Sequence, residues 1–147
     1  MVAQRTILMA LLLLTSLVHG ATERALEVKD RQLPLCPDSP NCVSTLDNSE
    51  NHAIAPYRYQ KSLNEAKAVL KQVFNELNRT QLVKEEDAYL QYEVRSFLFR
   101  FVDDVEFLFD DASKTIHFRS AARSGYYDFG VNRRRMEKVR GLLMGKL

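Results

Sequence analysis

Between Ala88 and Ser120 the chain alternates apolar and polar residues with a period of two, and this pattern constrains the fold more than any other. Ala88, Leu90, Tyr92 and Val94 fall on one side of a segment running to Ser96, with Tyr89, Gln91, Glu93 and Arg95 on the other. Val105, Phe107 and Phe109 line a second segment opposite Asp104 and Glu106; Ile116, Phe118 and Ser120 line a third opposite His117 and Arg119. Period-two alternation is the signature of half-buried strands, and Asp110-Asp111-Ala112-Ser113 supplies turn chemistry between the last two. The expectation is an antiparallel meander with one apolar and one polar face. Parity then limits the registers, because a one-residue slip would turn every apolar side chain outward. Pairing Phe107 with Ile116 sets Asp104 opposite Arg119 and Glu106 opposite His117. Pairing Val94 with Val105 sets Arg95 opposite Asp104 and Glu93 opposite Glu106.

Two helices flank the meander in sequence. Ser62-Leu63-Asn64-Glu65 is a capping box, in which the Ser hydroxyl and the Glu carboxylate satisfy reciprocal backbone donors. Leu63, Ala66, Leu70, Val73, Phe74 and Leu77 then recur at helical spacing, and Asn78 is the expected terminator. A final helix is expected from Asn132, as N-cap, to Met144, burying Met136, Val139, Leu142 and Leu143. Tyr57 to Tyr59 reads as a short strand leading into the first helix, and Ala21 to Pro56 as an irregular arm.

The chain opens with one charge, Arg5, followed by the apolar run Ile7 to Val18 and by Val18-His19-Gly20 ahead of Ala21. This is the pattern of a secretory signal segment cleaved before Ala21; the run is short for a permanent span of about 20 residues. Export is therefore expected, to a periplasmic or extracellular space, with an uncleaved membrane anchor as the alternative. Cys36 and Cys42 are the only two cysteines. In an oxidising compartment they form a disulfide by default, closing the arm into a small loop stiffened by Pro37 and Pro40. The formal charge of +2 gives no reason to expect nucleic acid as a partner. Its distribution says more: Glu85 to Asp111 holds nine acids, and Phe118 to Leu147 holds eight bases. The two blocks are expected to face each other.

The chemistry concentrates in Phe118 to Glu137, which carries five arginines. Arg keeps its proton, and its planar fork suits carboxylates and phosphates. Arg133, Arg134 and Arg135 fall in a first helical turn, where cations oppose the helix dipole and something must compensate. Two readings stand side by side. In one, Arg119, Arg123, Asp128, Asn132, Arg133 and Arg135 bind an anionic small molecule, a lipid head group or a protein partner. In the other, the same residues form an internal Arg–Asp network pinning the last helix to the sheet. Glu106 and His117 are the weak catalytic candidates, since paired carboxylates beside a histidine can move a proton. Gly125-Tyr126-Tyr127 reads either as a cover over a ligand or as the wall of a core. No phosphate-cradling glycine loop, paired-histidine zinc motif or nucleophile elbow occurs, so no metal or cofactor is expected.

Two motifs together resemble one family. CPDSPNCVS, from Cys36 to Ser44, and the stretch from Arg119 to Glu137 look like the two ends of the domain of unknown function 1499, and Phe101 to Glu106 resembles its central segment. The resemblance spans about Leu35 to Leu143. It implies a small protein with an N-terminal signal, lipoprotein or membrane segment and no established reaction. The positions it carries over are those of the cysteine loop, Asp103, Asp104 and Glu106, and the Arg119–Glu137 residues named above. Ala122 and Tyr127 depart from it, standing where similar sequences often have Ser. The expected organisation is a signal segment at 1–20, a linker at 21–34 and a single α+β domain at 35–147, with two helices packed on one face of the meander. The expected function is that of a non-enzymatic envelope protein. The alternatives are a hydrolase or transferase using Glu106 and His117, or a purely structural envelope subunit.

Overall fold

A computed structural model describes residues 32–96 and 101–147; the expected signal segment lies outside the described residues. The elements run β1 (Cys42–Ser44), β2 (Tyr57–Arg58), α1 (Leu63–Glu76), β3 (Thr80–Glu86), β4 (Tyr89–Arg95), β5 (Val102–Asp110), β6 (Thr115–Ala122) and α2 (Val131–Leu143). All six strands form one antiparallel sheet in the order β1-β6-β5-β4-β3, with β2 also paired to β6. Leu33–Leu147 is one compact unit, and its architecture is α+β.

The meander is present as alternation demands. Leu90, Tyr92 and Val94, Val105, Phe107 and Phe109, and Ile116 and Phe118 share one face and enter one core with Ala66, Leu70, Val73 and Phe74 of α1 and Met136, Val139 and Leu143 of α2. Both helices therefore lie on the apolar face. Phe74 stacks 4.4 Å from Tyr92 and 5.1 Å from Phe107, ring centroid to centroid. The Tyr57 hydroxyl donates to the Met136 carbonyl at 2.7 Å, tying α2 to the outer edge of the sheet. The capping box at Ser62 forms as expected, with Glu65 N donating to Ser62 Oγ at 3.4 Å and Ser62 N to Glu65 Oε2 at 3.1 Å.

Both expected registers are off by two residues, with parity intact. Phe107 pairs with Phe118 rather than Ile116, so Glu106 faces Arg119 and His117 faces Leu108. The cause is the turn. The expected register would leave a two-residue loop, Asp111-Ala112, and the favoured turns of that length place positive φ at both positions or at a glycine in the first; Asp111-Ala112 supplies no glycine and Ala resists positive φ. The chain instead pairs Asp110 with Thr115. Asp110 Oδ1 accepts the Ala112 and Ser113 amides at 3.1 and 3.2 Å, and the positive φ falls on Lys114 alone. In the β4–β5 hairpin Val94 pairs with Asp103, Glu93 with Asp104 and Arg95 with Val102. The ladder runs one bond further, from Ser96 N to the Phe101 carbonyl at 2.9 Å.

Three strands lie outside or only partly inside the expected meander. β1 is a strand within the stretch read as irregular, and β2 realises the short strand at Tyr57. β3 is an edge strand that no alternation announces, because a register shift between Leu82 and Lys84 breaks its parity. Its charged residues suit an edge, and Lys67 and Lys71 of α1 hold its Glu85 at 3.3 and 2.7 Å. Cys36 and Cys42 are disulfide-bonded with Cα atoms 5.7 Å apart. No described helix is long and apolar enough to cross a membrane.

Candidate functional site

The acidic and basic blocks meet, in two tiers on opposite faces of the sheet. On the face away from the helices, Arg119 Nη1 donates to Glu106 Oε2 at 3.3 Å, and the Tyr89 hydroxyl donates to the other Glu106 oxygen at 2.8 Å. Arg119 Nε has no hydrogen-bond partner among the described residues. Arg123, just past β6, forks onto Asp104 through Nε at 3.0 Å and Nη2 at 2.6 Å, and Nη2 also reaches Glu93 at 2.8 Å. Bidentate pairing of this kind is the strong form of the Arg–carboxylate bond. The Asp104 bonds, followed by the Glu93 bond, hold the Arg123 guanidinium still more firmly protonated than usual. Arg95 takes the second Glu93 oxygen at 2.9 Å. The row expected to run Arg95–Asp104–Arg119 is thus replaced by Glu93–Asp104 with Arg123 laid across it.

The second tier lies under the first turn of α2. Asp103, on the helix face of β5, is buried and accepts from Arg135 Nη2 at 2.5 Å. Arg135 Nη1 reaches Asn132 Oδ1 at 2.8 Å and Ser120 Oγ at 3.2 Å, and the Ser120 hydroxyl donates to Asn132 Oδ1 at 2.5 Å. Asn132, fully buried, is not the N-cap. Gly130 holds that position with φ 72° and no side chain to offer, and α2 starts at Val131. Asp128 does the capping from two residues upstream: Oδ1 accepts Gly130 N at 2.9 Å and Oδ2 accepts Asn132 N at 2.8 Å and Asn132 Nδ2 at 2.9 Å. Its charge is the compensation that three first-turn arginines require. Arg133 donates to the Ala53 and Asn51 carbonyls, both at 2.9 Å, and Arg134 to the Phe129 carbonyl at 2.6 Å. Every arginine of the Arg119–Arg135 stretch is engaged within the domain.

The two catalytic candidates are not cross-strand partners; the register sets them diagonally on the same face of the β5–β6 ladder, each engaged by other residues. Glu106 belongs to Arg119 and Tyr89, whereas His117 faces Leu108 and lies with Nδ1 3.3 Å from Thr45 Oγ1. Burial pushes the His117 pKa below its usual value, partly opposed by Asp110. Cys36, Asp47 and His52 offer ligand atoms within 4.8 Å of one another. Metal binding needs a thiolate, however, and the Cys36 sulfur is in the disulfide. His52 serves to pin the loop instead, Nε2 lying 3.2 Å from the Ser39 carbonyl and Nδ1 3.5 Å from Asp47.

The loop between the two tiers holds what residue-by-residue reading passes over. Tyr126, Tyr127 and Phe129 are 72%, 60% and 76% exposed, so they do not wall a core. Tyr127 and Phe129 touch only edge to face, centroids 5.0 Å apart. Phe129 sits at φ 55°, in the left-handed region, which costs a bulky L-residue roughly 1–2 kcal/mol. The sequence signal was available: three aromatics within four residues of a glycine-bounded loop that also holds a capping Asp.

The roots of that loop meet the disulfide loop. Asn41 Nδ2 donates to the Gly125 carbonyl at 2.5 Å, and the Asn41 carbonyl accepts Ala122 N at 3.0 Å and Asn132 Nδ2 at 3.3 Å. The two motifs at the ends of the sequence resemblance are therefore one structural unit. A model of a family described as a protein of unknown function, DUF1499, matches residues 32–143. The chain belongs to the DUF1499 family. No curated protein and no solved structure matches it. In this DUF1499 domain the two positions expected to depart from similar sequences are Ala122, the last residue of β6, and Tyr127, in the aromatic loop.

Proposed function

We propose that this DUF1499 protein is a non-enzymatic, exported binding protein of the cell envelope, and that its arginine-rich C-terminal constellation frames the binding surface rather than forming it. The observation that carries this reading is the aromatic loop. Two αL residues, Phe129 and Gly130, and the Asp128 cap hold Tyr126, Tyr127 and Phe129 outward, on a frame in which Arg123, Arg133 and Arg135 already have partners. Strain at an exposed bulky residue contributes nothing to the core, and such strain concentrates at functional positions. The engagement of Glu106 by Arg119 and Tyr89, and of His117 by Thr45, supports the non-enzymatic reading over a hydrolase or transferase. The apolar run Ile7 to Val18 supports export.

The test is a loop variant, Tyr126→Ser with Phe129→Asn, in the full chain. It is expected to keep the wild-type melting temperature, because neither side chain is buried, and to leave the envelope fraction of disrupted cells for the soluble fraction. A variant that unfolds, or that fractionates as wild type does, would sink the proposal.

A further inference from the structure

We infer that the aromatic loop docks onto the interfacial region of a lipid bilayer carrying anionic head groups. This rests on the binding role proposed above and names the target. Tyr126, Tyr127 and Phe129 leave 60% to 76% of their area exposed within four residues of one loop. Val131, at the start of α2, extends the apolar patch at 40% exposed. Tyrosine combines an apolar body with a polar tip, the chemistry enriched at membrane–water interfaces.

The charge around the patch has the sign this target needs. Asp128, the one acid in the loop, spends its carboxylate on Gly130 N, Asn132 N and Asn132 Nδ2. Arg134, exposed, lies over the loop with Nη1 on the Phe129 carbonyl at 2.6 Å. That bond uses one of its five donors. Lys138, also exposed, follows one turn along the same helix face. Cations beside a protruding aromatic cluster fit phosphate head groups above an acyl boundary. The left-handed Phe129 then has a use, since its strained backbone is what turns the ring away from the domain.

The chain has no tryptophan, so Tyr127→Trp in the full chain gives a single reporter at the loop tip. The reporter matters because the run Ile7 to Val18 could bring the protein to vesicles by itself. With phosphatidylcholine–phosphatidylglycerol vesicles the emission should shift to the blue and be quenched by lipids brominated on the acyl chain. Pure phosphatidylcholine should give a weaker response. Adding Phe129→Asn to the reporter should weaken partition on the order of tenfold without lowering the melting temperature, since Asn accepts the left-handed conformation. Arg134→Ala and Lys138→Ala should each weaken it about fivefold at low salt. If the protein floats with vesicles while Trp emission stays that of a water-exposed ring, the inference falls. It also falls if Phe129→Asn partitions like the parent. Should the loop variant leave the envelope fraction while the reporter never enters lipid, the partner is a protein: the binding role then stands and the bilayer does not.

Discussion

Two arginines of this domain make similar bonds at very different depths, and the difference decides what each is worth. Arg123 pairs with Asp104 and Glu93 at short distances, but its side chain is 49% exposed. Arg135 pairs with Asp103 where the two side chains are 13% and 9% exposed. Exposed pairs are screened and contribute about 0–1 kcal/mol, whereas removing one partner of a buried pair strands a charge and costs about 3–5 kcal/mol. Arg123→Ala should therefore change the free energy of unfolding little, because solvent screens its pairs, and Arg135→Ala should lower it by about 3–5 kcal/mol. Urea denaturation of the two variants checks the ranking. Equal losses would mean that Arg135 finds another acceptor or that Asp103 is reached by water. Ser120 and Asn132 make the larger loss specific to the second tier, because both lose a donor when Arg135 goes.

At the scale of elements the start of α2 hangs on one carboxylate. Asp128→Ala removes the acceptor of Gly130 N and Asn132 N and also frees the buried Asn132 side chain. Loss of a cap costs about 1 kcal/mol, and an unsatisfied buried amide adds about 1–3 kcal/mol. Ser62→Ala on the exposed start of α1 should cost only the first of these. If chemical denaturation gives the two variants the same loss, Asn132 is held by Asn41 and Arg135 without Asp128. This dependence was only half visible in sequence. Asn132 looked like a cap because its residue type caps helices, but cap identity depends on where the chain turns, and Gly130 turns it two residues earlier than Asn132 would. The same limit explains the registers. Alternation fixed which side chains face the helices in β4, β5 and β6, since burial enforces parity. It could not fix the offset, which the Asp110–Thr115 turn sets. β3 escaped because its bulge between Leu82 and Lys84 erases the period that would reveal it. The partner of Arg119 moved from Asp104 to Glu106 for the same reason.

Across the whole molecule, the disulfide is what couples the two family motifs that lie furthest apart in the chain. Cys42 pairs with Ala121 at the start of the β1–β6 ladder, and Asn41, one residue before it, fastens the roots of the aromatic loop and of α2. A crosslink over a separation of 6 residues stabilises by about 2 kcal/mol in the chain-entropy model. Its loss should be felt unevenly. Cys36→Ser with Cys42→Ser should lower global stability by about 2 kcal/mol, because the core of β4, β5, β6 and α1 keeps all of its buried contacts. Hydrogen exchange should show more. Amides of Gly130 and Asn132, bonded to Asp128 on a loop that Asn41 steadies, should lose protection beyond the global change, while those of Leu90 and Phe107 should follow the global change alone. Uniform loss across all four sites would mean that the disulfide acts only on the unfolded chain and that Asn41 holds the loop unaided. The uneven outcome would make the cysteine loop the brace of the aromatic surface, linking the redox state of the compartment to the presentation of Tyr126, Tyr127 and Phe129.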